Sequence, residues 1–261
     1  MYLADMHMHT HISPDSEGVL EDYCAAAIEK GIKELYITDH CDVNGWEGAP
    51  YDFLRDAAFD ELLAARDRYG DRIKINFGVE LGQEQQNREL ARETLEDGRL
   101  DFVIGSLHNL AGGPDFFFMS DMEADRESLW SRYFTELALH AEKSDFDVLG
   151  HITYPKRYIP VRWRAEYDDR ISEILDIIIS RGKGIEINTS GLGLAMSETL
   201  PPYEVVRRYR LMGGRIITVG SDCHVREKVG FRIADGFELA KSAGFDSICL
   251  FHKRTPEFVR I

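Results

Sequence analysis

The sequence of 261 residues has a shortage of positive charge, few cysteines and no long apolar run. Lys and Arg number 31 against 46 Asp and Glu, which gives a formal net charge of -15. Nucleic acids and anionic membranes bind basic surfaces, so this charge argues against both partners. The apolar runs are also far shorter than the roughly 20 residues that a membrane-spanning helix needs.

Cysteines are scarce as well, and the four present, Cys24, Cys41, Cys223 and Cys249, form no CxxC pair. No signal-peptide pattern precedes the first strand-like residues. We therefore expect reduced thiols and a cytoplasmic protein. The sequence leaves the oligomeric state open.

Short apolar runs alternate with longer amphipathic segments along the chain, which is typical of repeated β-α units with a parallel sheet. Seven strands are predicted before a last one, SICLF: the first segment and then ELYITDH, IKINFGVE, DFVIGSLH, FDVLGH, GIEINTS and RIITVGSDCH. Helices are predicted over VLEDYCAAAIEKG and over residues 124–143, 168–180, 203–211 and 227–243. We expect one α/β domain over residues 1–261, a closed or nearly closed barrel, although an open doubly wound sheet has the same local pattern.

The first segment, MYLADMHMHTHISPDSE, carries His7, His9 and His11 at alternate positions. Side chains two apart on a strand share one face. Such a face is either part of a metal site or a coincidence, and further ligands elsewhere in the chain would favour the metal site.

Histidines and acids recur where the predicted strands end. They are His7 and His9, His40, Glu80, His108, His151, and Asp222 with His224. The carboxyl ends of parallel strands meet on one face, so these side chains are expected to converge. Imidazole and carboxylate groups together suit Zn, Mn or Fe. A lone histidine is usually a surface or core residue, but chance does not explain so many strand ends.

The remaining histidines and Asp15 do not lie at the ends of predicted strands. His11 lies beyond the first strand, near Pro14, while His140 and His252 are expected to be structural. Asp15 either caps the following helix or completes a further metal position.

In order, the motifs HMHT, TDH, GVE, GSLH, GH and GSDCH resemble those of the PHP (polymerase and histidinol phosphatase) domain. The stretches SPDS, GHITYPKRY, EINTSGL and LFHKRTPEFV are similar to its histidinol-phosphatase branch. The resemblance implies a distorted seven-stranded (β/α) barrel, TIM-like, with three divalent metal ions. It also implies hydrolysis of L-histidinol phosphate in histidine biosynthesis.

Carried over to this sequence, the resemblance implies three sets of metal ligands. They are His7, His9, Glu80 and Asp222 for one ion, Glu80, His108 and His151 for a second, and Asp15, His40 and His224 for the third. Clustered metal ions can activate water, clamp phosphoryl oxygens and stabilise the leaving oxygen. Asp222, His224 and Arg157 are the expected catalytic residues, with Arg157 on the phosphate. Lys156 and Arg162 are its nearby competitors.

Two loops are expected to shape the cleft around the substrate, CDVNGWEG after His40 and NLAGGPDFFF after His108. Their acids and aromatic rings suit an ammonium group and an imidazole, although packing under a loop is the favoured role for the three phenylalanines. Two alternatives remain. One is a PHP-type phosphoesterase for phosphotyrosine or a nucleotide phosphate, and the other is a metal-binding domain without catalysis.

Overall fold

The computed structural model describes residues 2–44, 54–119 and 125–261. Its helices are α1 (Leu20–Glu29), α2 (Arg55–Tyr69), α3 (Arg88–Leu95), α4 (Arg126–Lys143), α5 (Ala165–Ser180), α6 (Tyr203–Leu211) and α7 (Ile233–Ser242). The parallel strands are β1 (Ala4–Asp5), β2 (Glu34–Ile37), β3 (His40–Asp42), β4 (Lys74–Gly82), β5 (Phe102–Ser106), β6 (Val148–Leu149), β7 (Gly184–Asn188) and β8 (Ile217–Gly220). Two further strands, β9 (Ser247–His252) and β10 (Thr255–Arg260), follow.

The parallel strands form a nearly closed barrel in the order β1, β2, β4, β5, β6, β7, β8, with β3 continuing β2 along β4. Its ends meet where Met6 N–H donates to Val219 O (3.1 Å) and His9 N–H to Cys223 O (2.9 Å). The prediction of a seven-stranded barrel is therefore confirmed, and the open sheet is excluded.

Burial explains why these segments take these structures. All five residues of β5 are buried, as in a strand covered on both faces. The buried side chains of α5 have the spacing of a helix that turns one face to a core, and they are Tyr167, Ile171, Ile174, Leu175 and Ile178. The barrel thus lies inside a layer of amphipathic helices.

Strand β9 does not extend the barrel, because it pairs antiparallel with β10 as a hairpin. The Phe251 N–H donates to the Tyr36 hydroxyl (3.0 Å), and the Phe251 ring stacks on Phe102. Arg254 pairs with Asp147, which precedes β6. The hairpin therefore covers the amino ends of the strands and leaves their carboxyl ends to the loops.

The helix predictions were partly wrong. Helices α2 and α3 fall between predicted strands, where no bounds were predicted for them. Helix α5 begins three residues earlier than predicted, and Ala124 lies outside the described residues. The predicted helix over 227–243 divides into a short 3-10 turn, Arg226–Lys228, and α7. The break falls at Gly230, which has a φ of +64° and donates its N–H to the buried Asp5. Among the described residues, none of the helices combines the length and apolar character that a membrane crossing needs.

His140 is buried on α4, in agreement with its predicted structural role. Its Nδ1 lies 2.7 Å from Gln85 Oε1 and its ring stacks on Phe146. Its buried Nε2 has no hydrogen-bond partner among the described residues. Burial, together with the nearby His108 and Arg181, lowers the pKa of His140 to about 3.

This histidine should make the fold sensitive to acid. An unfolded histidine binds a proton below about pH 6.5 but His140 in the fold does not, so stability falls as the pH drops below that value. Between pH 7 and pH 5 the loss amounts to about 2 kcal/mol. We expect His140→Gln to remove this part of the difference when chelator-treated proteins are unfolded with urea at both pH values.

The exposed His11 provides the matched control, because His11→Gln removes an imidazole from the surface instead of the interior. An equal difference in His140→Gln and wild type would show that His140 does not carry this pH dependence.

Candidate metal centre

The Glu80 carboxylate is the centre of the site. It lies near the end of β4 and is only 1% exposed. Oε1 is 2.7 Å from His151 Nε2 and 3.2 Å from His108 Nε2, while Oε2 is 3.0 Å from His40 Nδ1. The Nε2 atoms of His7 and His9 lie 3.3 and 3.4 Å from Oε2. Five imidazoles, from four strands or the loops that follow them, thus surround one carboxylate.

Asp222 lies on the β8 side of this cluster. Its Oδ1 is 3.7 Å from His7 Nε2 and 3.5 Å from His9 Nε2, across the closure between β1 and β8. Its φ of +54° is in the left-handed region, which non-glycine residues adopt at some cost. This backbone conformation places the Asp222 carboxylate against His7 and His9, which follow β1.

Asp15, His40 and His224 form the outer side of the cluster. Asp15 Oδ2 is 3.4 Å from His40 Nε2 and 3.3 Å from His224 Nε2. Helix α1 begins after Val19 with no side-chain cap, so the capping role for Asp15 is wrong. The His9 ring stacks between His40 and His224, at 4.1 and 4.3 Å between ring centroids.

The donor atoms fit bound cations. Three sets have ligand atoms within 4.8 Å of one another: His7, His9 and Asp222, then His40, Glu80 and His108, and finally His9, His40 and His224. The Nε2 atoms of His7 and His9 lie only 3.0 Å apart, and the buried Glu80 Oε2 accepts no hydrogen bond among the described residues. A divalent ion would satisfy all of these atoms, and the mixed nitrogen and oxygen set is the type that Zn and Mn accept.

Burial and the neighbouring charges shift the pKa values of the acids and histidines in the cluster. Burial by itself would raise the pKa of Glu80, but the rings of His7, His108 and His40 hold that pKa well below its ordinary value. Burial, together with the neighbouring His40 and His224, lowers the pKa of His9. The ionised Glu80 and the neutral His9 are in the forms in which carboxylates and imidazoles ligate metals. For His7, His40 and His108 burial would lower the pKa, but the neighbouring carboxylates raise it well above its ordinary value.

Two further carboxylates were missed by the sequence analysis. Asp42 accepts a hydrogen bond from His108 Nδ1 (3.0 Å), and Glu186 accepts one from His7 Nδ1 (2.6 Å). Both lie in buried strands, where an acid needs a partner. An acid inside the apolar run GIEIN was the available signal.

Arg157 ends the short 3-10 helix Tyr154–Arg157 that follows β6. Its guanidinium donates to Asp222 Oδ2 (2.7 Å) and Ser190 Oγ (2.6 Å), and it lies over the Tyr154 ring. Lys156 instead pairs with Glu198 outside the cavity, and Arg162 is exposed. Of these three cations, only Arg157 faces the cluster.

A cavity of about 410 Å³ opens above the cluster, and aromatic side chains and one further acid form its outer wall. Phe117 and Phe118 are 54% and 41% exposed at this wall, whereas Phe116 is fully buried. The packing role predicted for the three phenylalanines is therefore right for Phe116 alone. Asp115 accepts the Phe117 N–H (2.7 Å), and burial raises its pKa.

The other candidates lie apart. His11 pairs with Glu61 (3.1 Å) on the surface, and His252 lies 3.5 Å from Glu34 at the opposite end of the barrel. Cys41 and Cys223 are buried free thiols, as predicted, and burial raises the pKa of each. The last part of the predicted wall segment CDVNGWEG, residues 45–48, lies outside the described residues.

Comparisons with known proteins agree with this architecture. The sequence matches the PHP domain over residues 5–190. It is 30% identical to a protein of Clostridium acetobutylicum named probable histidinol-phosphatase, over 97% of this chain and 98% of that one. The histidinol-phosphatase of Lactococcus lactis is 28% identical over 95% of this chain and 93% of its own length.

A solved structure is similar over almost the whole chain. The crystal structure of histidinol phosphate phosphatase from Lactococcus lactis, complexed with zinc, L-histidinol and phosphate, superposes with a TM-score of 0.87. The two chains are 25% identical, and the match covers 98% of each.

Proposed function

This chain belongs to the PHP domain family, and we propose that it is a metal-dependent phosphatase that hydrolyses L-histidinol phosphate to L-histidinol and phosphate. One observation carries the proposal: nine acids and histidines from seven separated motifs meet in one cluster, and all of them except the buried His7 and His9 line a single cavity together with Arg157. The full-length similarity to histidinol-phosphatases supports the substrate.

The residues around Glu80 would hold three divalent ions. We propose His7, His9, Glu80 and Asp222 for the first ion, Glu80, His108 and His151 for the second, and Asp15, His40 and His224 for the third. The overlap of the donor sets at His9 and His40 supports a shared centre. Bound divalent ions supply Lewis-acid activation of water and neutralise phosphoryl charge. Zinc is the first candidate because the Lactococcus lactis enzyme was crystallised with it, with manganese and iron as alternatives.

The number of ions is testable. Protein that has been stripped with chelator, reloaded with excess zinc or manganese and desalted should contain close to three ions per chain by elemental analysis. His151→Ala should lower the content, since Glu80 and His108 alone would hold the second ion. A plateau at one ion in the wild type would contradict the trinuclear centre.

Arg157 is proposed to bind the phosphoryl group. Its guanidinium faces the cluster beside Asp222. There it can donate two N–H groups to phosphate oxygens in a bidentate contact. Asp222 and His224 act with it as catalytic residues, since both line the cavity as proposed metal ligands.

Arg157→Ala should therefore lower kcat/KM by roughly tenfold to a hundredfold, the scale of a hydrogen bond to a charged group. The metal content should stay unchanged, because Asp222 keeps its hydrogen bond from Asn188. Lys156→Ala is the matched control, since Lys156 points to Glu198. Equal kinetics for wild type and Arg157→Ala would remove the phosphate role from Arg157.

The outer wall of the cavity is proposed to select the substrate. Metals and Arg157 recognise only the phosphoryl group, whereas histidinol phosphate also carries an ammonium group and an imidazole. Asp115 offers a carboxylate, and Phe117 and Tyr158 offer ring faces. Ion pairing and stacking are the contacts that such a ligand would make.

Wild-type kcat/KM should be higher for L-histidinol phosphate than for p-nitrophenyl phosphate or a phosphotyrosine peptide. Asp115→Asn should raise KM for histidinol phosphate and leave KM for p-nitrophenyl phosphate unchanged, because only the first substrate carries the ammonium group. A higher kcat/KM for the phosphotyrosine peptide would favour the alternative PHP-type phosphoesterase. No turnover of any phosphate ester by the metal-loaded protein would favour a metal-binding domain without catalysis.

The proposal also includes a cytoplasmic location, where reduced thiols are stable. The buried, unpaired Cys24, Cys41, Cys223 and Cys249 support it.

A further inference from the structure

Strand β7 supplies none of the proposed metal ligands, yet its inward side chains reach the residues that do. Glu186 Oε1 accepts a hydrogen bond from His7 Nδ1 (2.6 Å), and Glu186 Oε2 accepts one from the His151 N–H (2.9 Å). Asn188 donates to Glu186 Oε2 (3.3 Å) and to Asp222 Oδ2 (3.2 Å). Glu186 thus connects β7 with residues that follow β1 and β6, and Asn188 connects it with Asp222, which follows β8.

The groups that face Glu186 are all donors. A carboxylate accepts at both oxygens, whereas an amide of the same shape accepts at one end only and donates at the other. With Nδ1 of His7 committed to Glu186, the other ring nitrogen, Nε2, faces Glu80 and His9 and is the atom that would offer its lone pair to a metal ion.

The backbone next to Glu186 leaves room for this carboxylate. A Cβ atom at Gly220 would lie 2.6 Å from Glu186 Oε1 and 2.4 Å from His7 Cβ. Side chains do not approach this closely, so any larger residue at 220 would displace the pair. The contact between Glu186 and His7 therefore requires a glycine at position 220 of β8.

We propose that Glu186 is a positioning residue for the metal centre. It holds His7 in the Nε2-ligating form and ties the backbone of His151 to the same carboxylate, so that ligands of two proposed ions keep a fixed separation. The inference rests on the proposed metal centre and extends it to a side chain that would touch no ion.

Glu186→Gln tests this role, with Glu34→Gln as the matched control. Glu34 is equally buried and also faces three donors, the hydroxyls of Tyr2 (2.7 Å) and Tyr36 (2.9 Å) and the amide of Asn76 (2.8 Å), at the opposite end of the barrel. Both variants lose an acceptor in the same way, so their unfolding midpoints without metal should fall by similar amounts. Only Glu186→Gln should weaken zinc binding, by roughly tenfold to a hundredfold in competition with a chromophoric chelator.

The visible absorption of cobalt-substituted protein, which reports ligand geometry, should change in Glu186→Gln and not in Glu34→Gln. If Glu186→Gln is too unstable to purify, Gly220→Ala provides a second route to the same contact. Gly98→Ala is its control, because a Cβ at Gly98 meets nothing within 4 Å.

Wild-type zinc affinity and cobalt absorption in Glu186→Gln would overturn the positioning role and leave the proposed function intact. Equal weakening in Glu34→Gln and Glu186→Gln would also overturn it, since the effect would then come from lost stability. Failure of the wild type itself to bind zinc or cobalt would overturn the proposed metal centre.

Discussion

The closure of the barrel between its first and last strands is the constraint on which the site depends. The hydrogen bonds from Met6 to Val219 and from His9 to Cys223 bring two chain segments more than 200 residues apart into register. That register sets His7 and His9 beside Asp222. An open sheet would leave these segments at opposite edges, and the acids and histidines would form no common cluster.

Concentrating so many ionisable groups in a buried volume is costly unless each charge is compensated. Glu80 remains ionised because imidazoles surround it, and the acids at 42 and 186 accept hydrogen bonds from the outer nitrogens of His108 and His7. The ligand atoms around Glu80 face one another, and bound cations would compensate their negative charge and lone pairs. Its outer contacts hold the rings in the orientation that such cations require.

The two ends of the barrel have different roles. At the amino ends the β9–β10 hairpin fills the opening with Phe251 and binds Asp147 through Arg254, contacts that stabilise the fold. At the carboxyl ends the loops leave a cavity and place Asp115 and the aromatic rings around it. Stability and recognition are therefore built at opposite ends of the same strands.

Much of this protein was determined by the sequence alone. The repeated β-α pattern predicted the barrel, and the acids and histidines at strand ends predicted which side chains would meet, because parallel strands all end on one face. The motif order predicted the family, and both the barrel and the family are confirmed. The assignment of each ligand to an ion stays a prediction.

Only the tertiary structure decided which side chains support the ligands. Asp42 and Glu186 have no sequence spacing that relates them to His108 and His7, since their contacts cross between strands 66 and 179 residues apart. It also decided that Asp15 joins the cluster, that Arg157 and not Lys156 faces the cavity, and that one of three consecutive phenylalanines is buried. Local pattern identifies the type of residue at each strand end, but the direction of a loop side chain depends on what the rest of the fold packs against it.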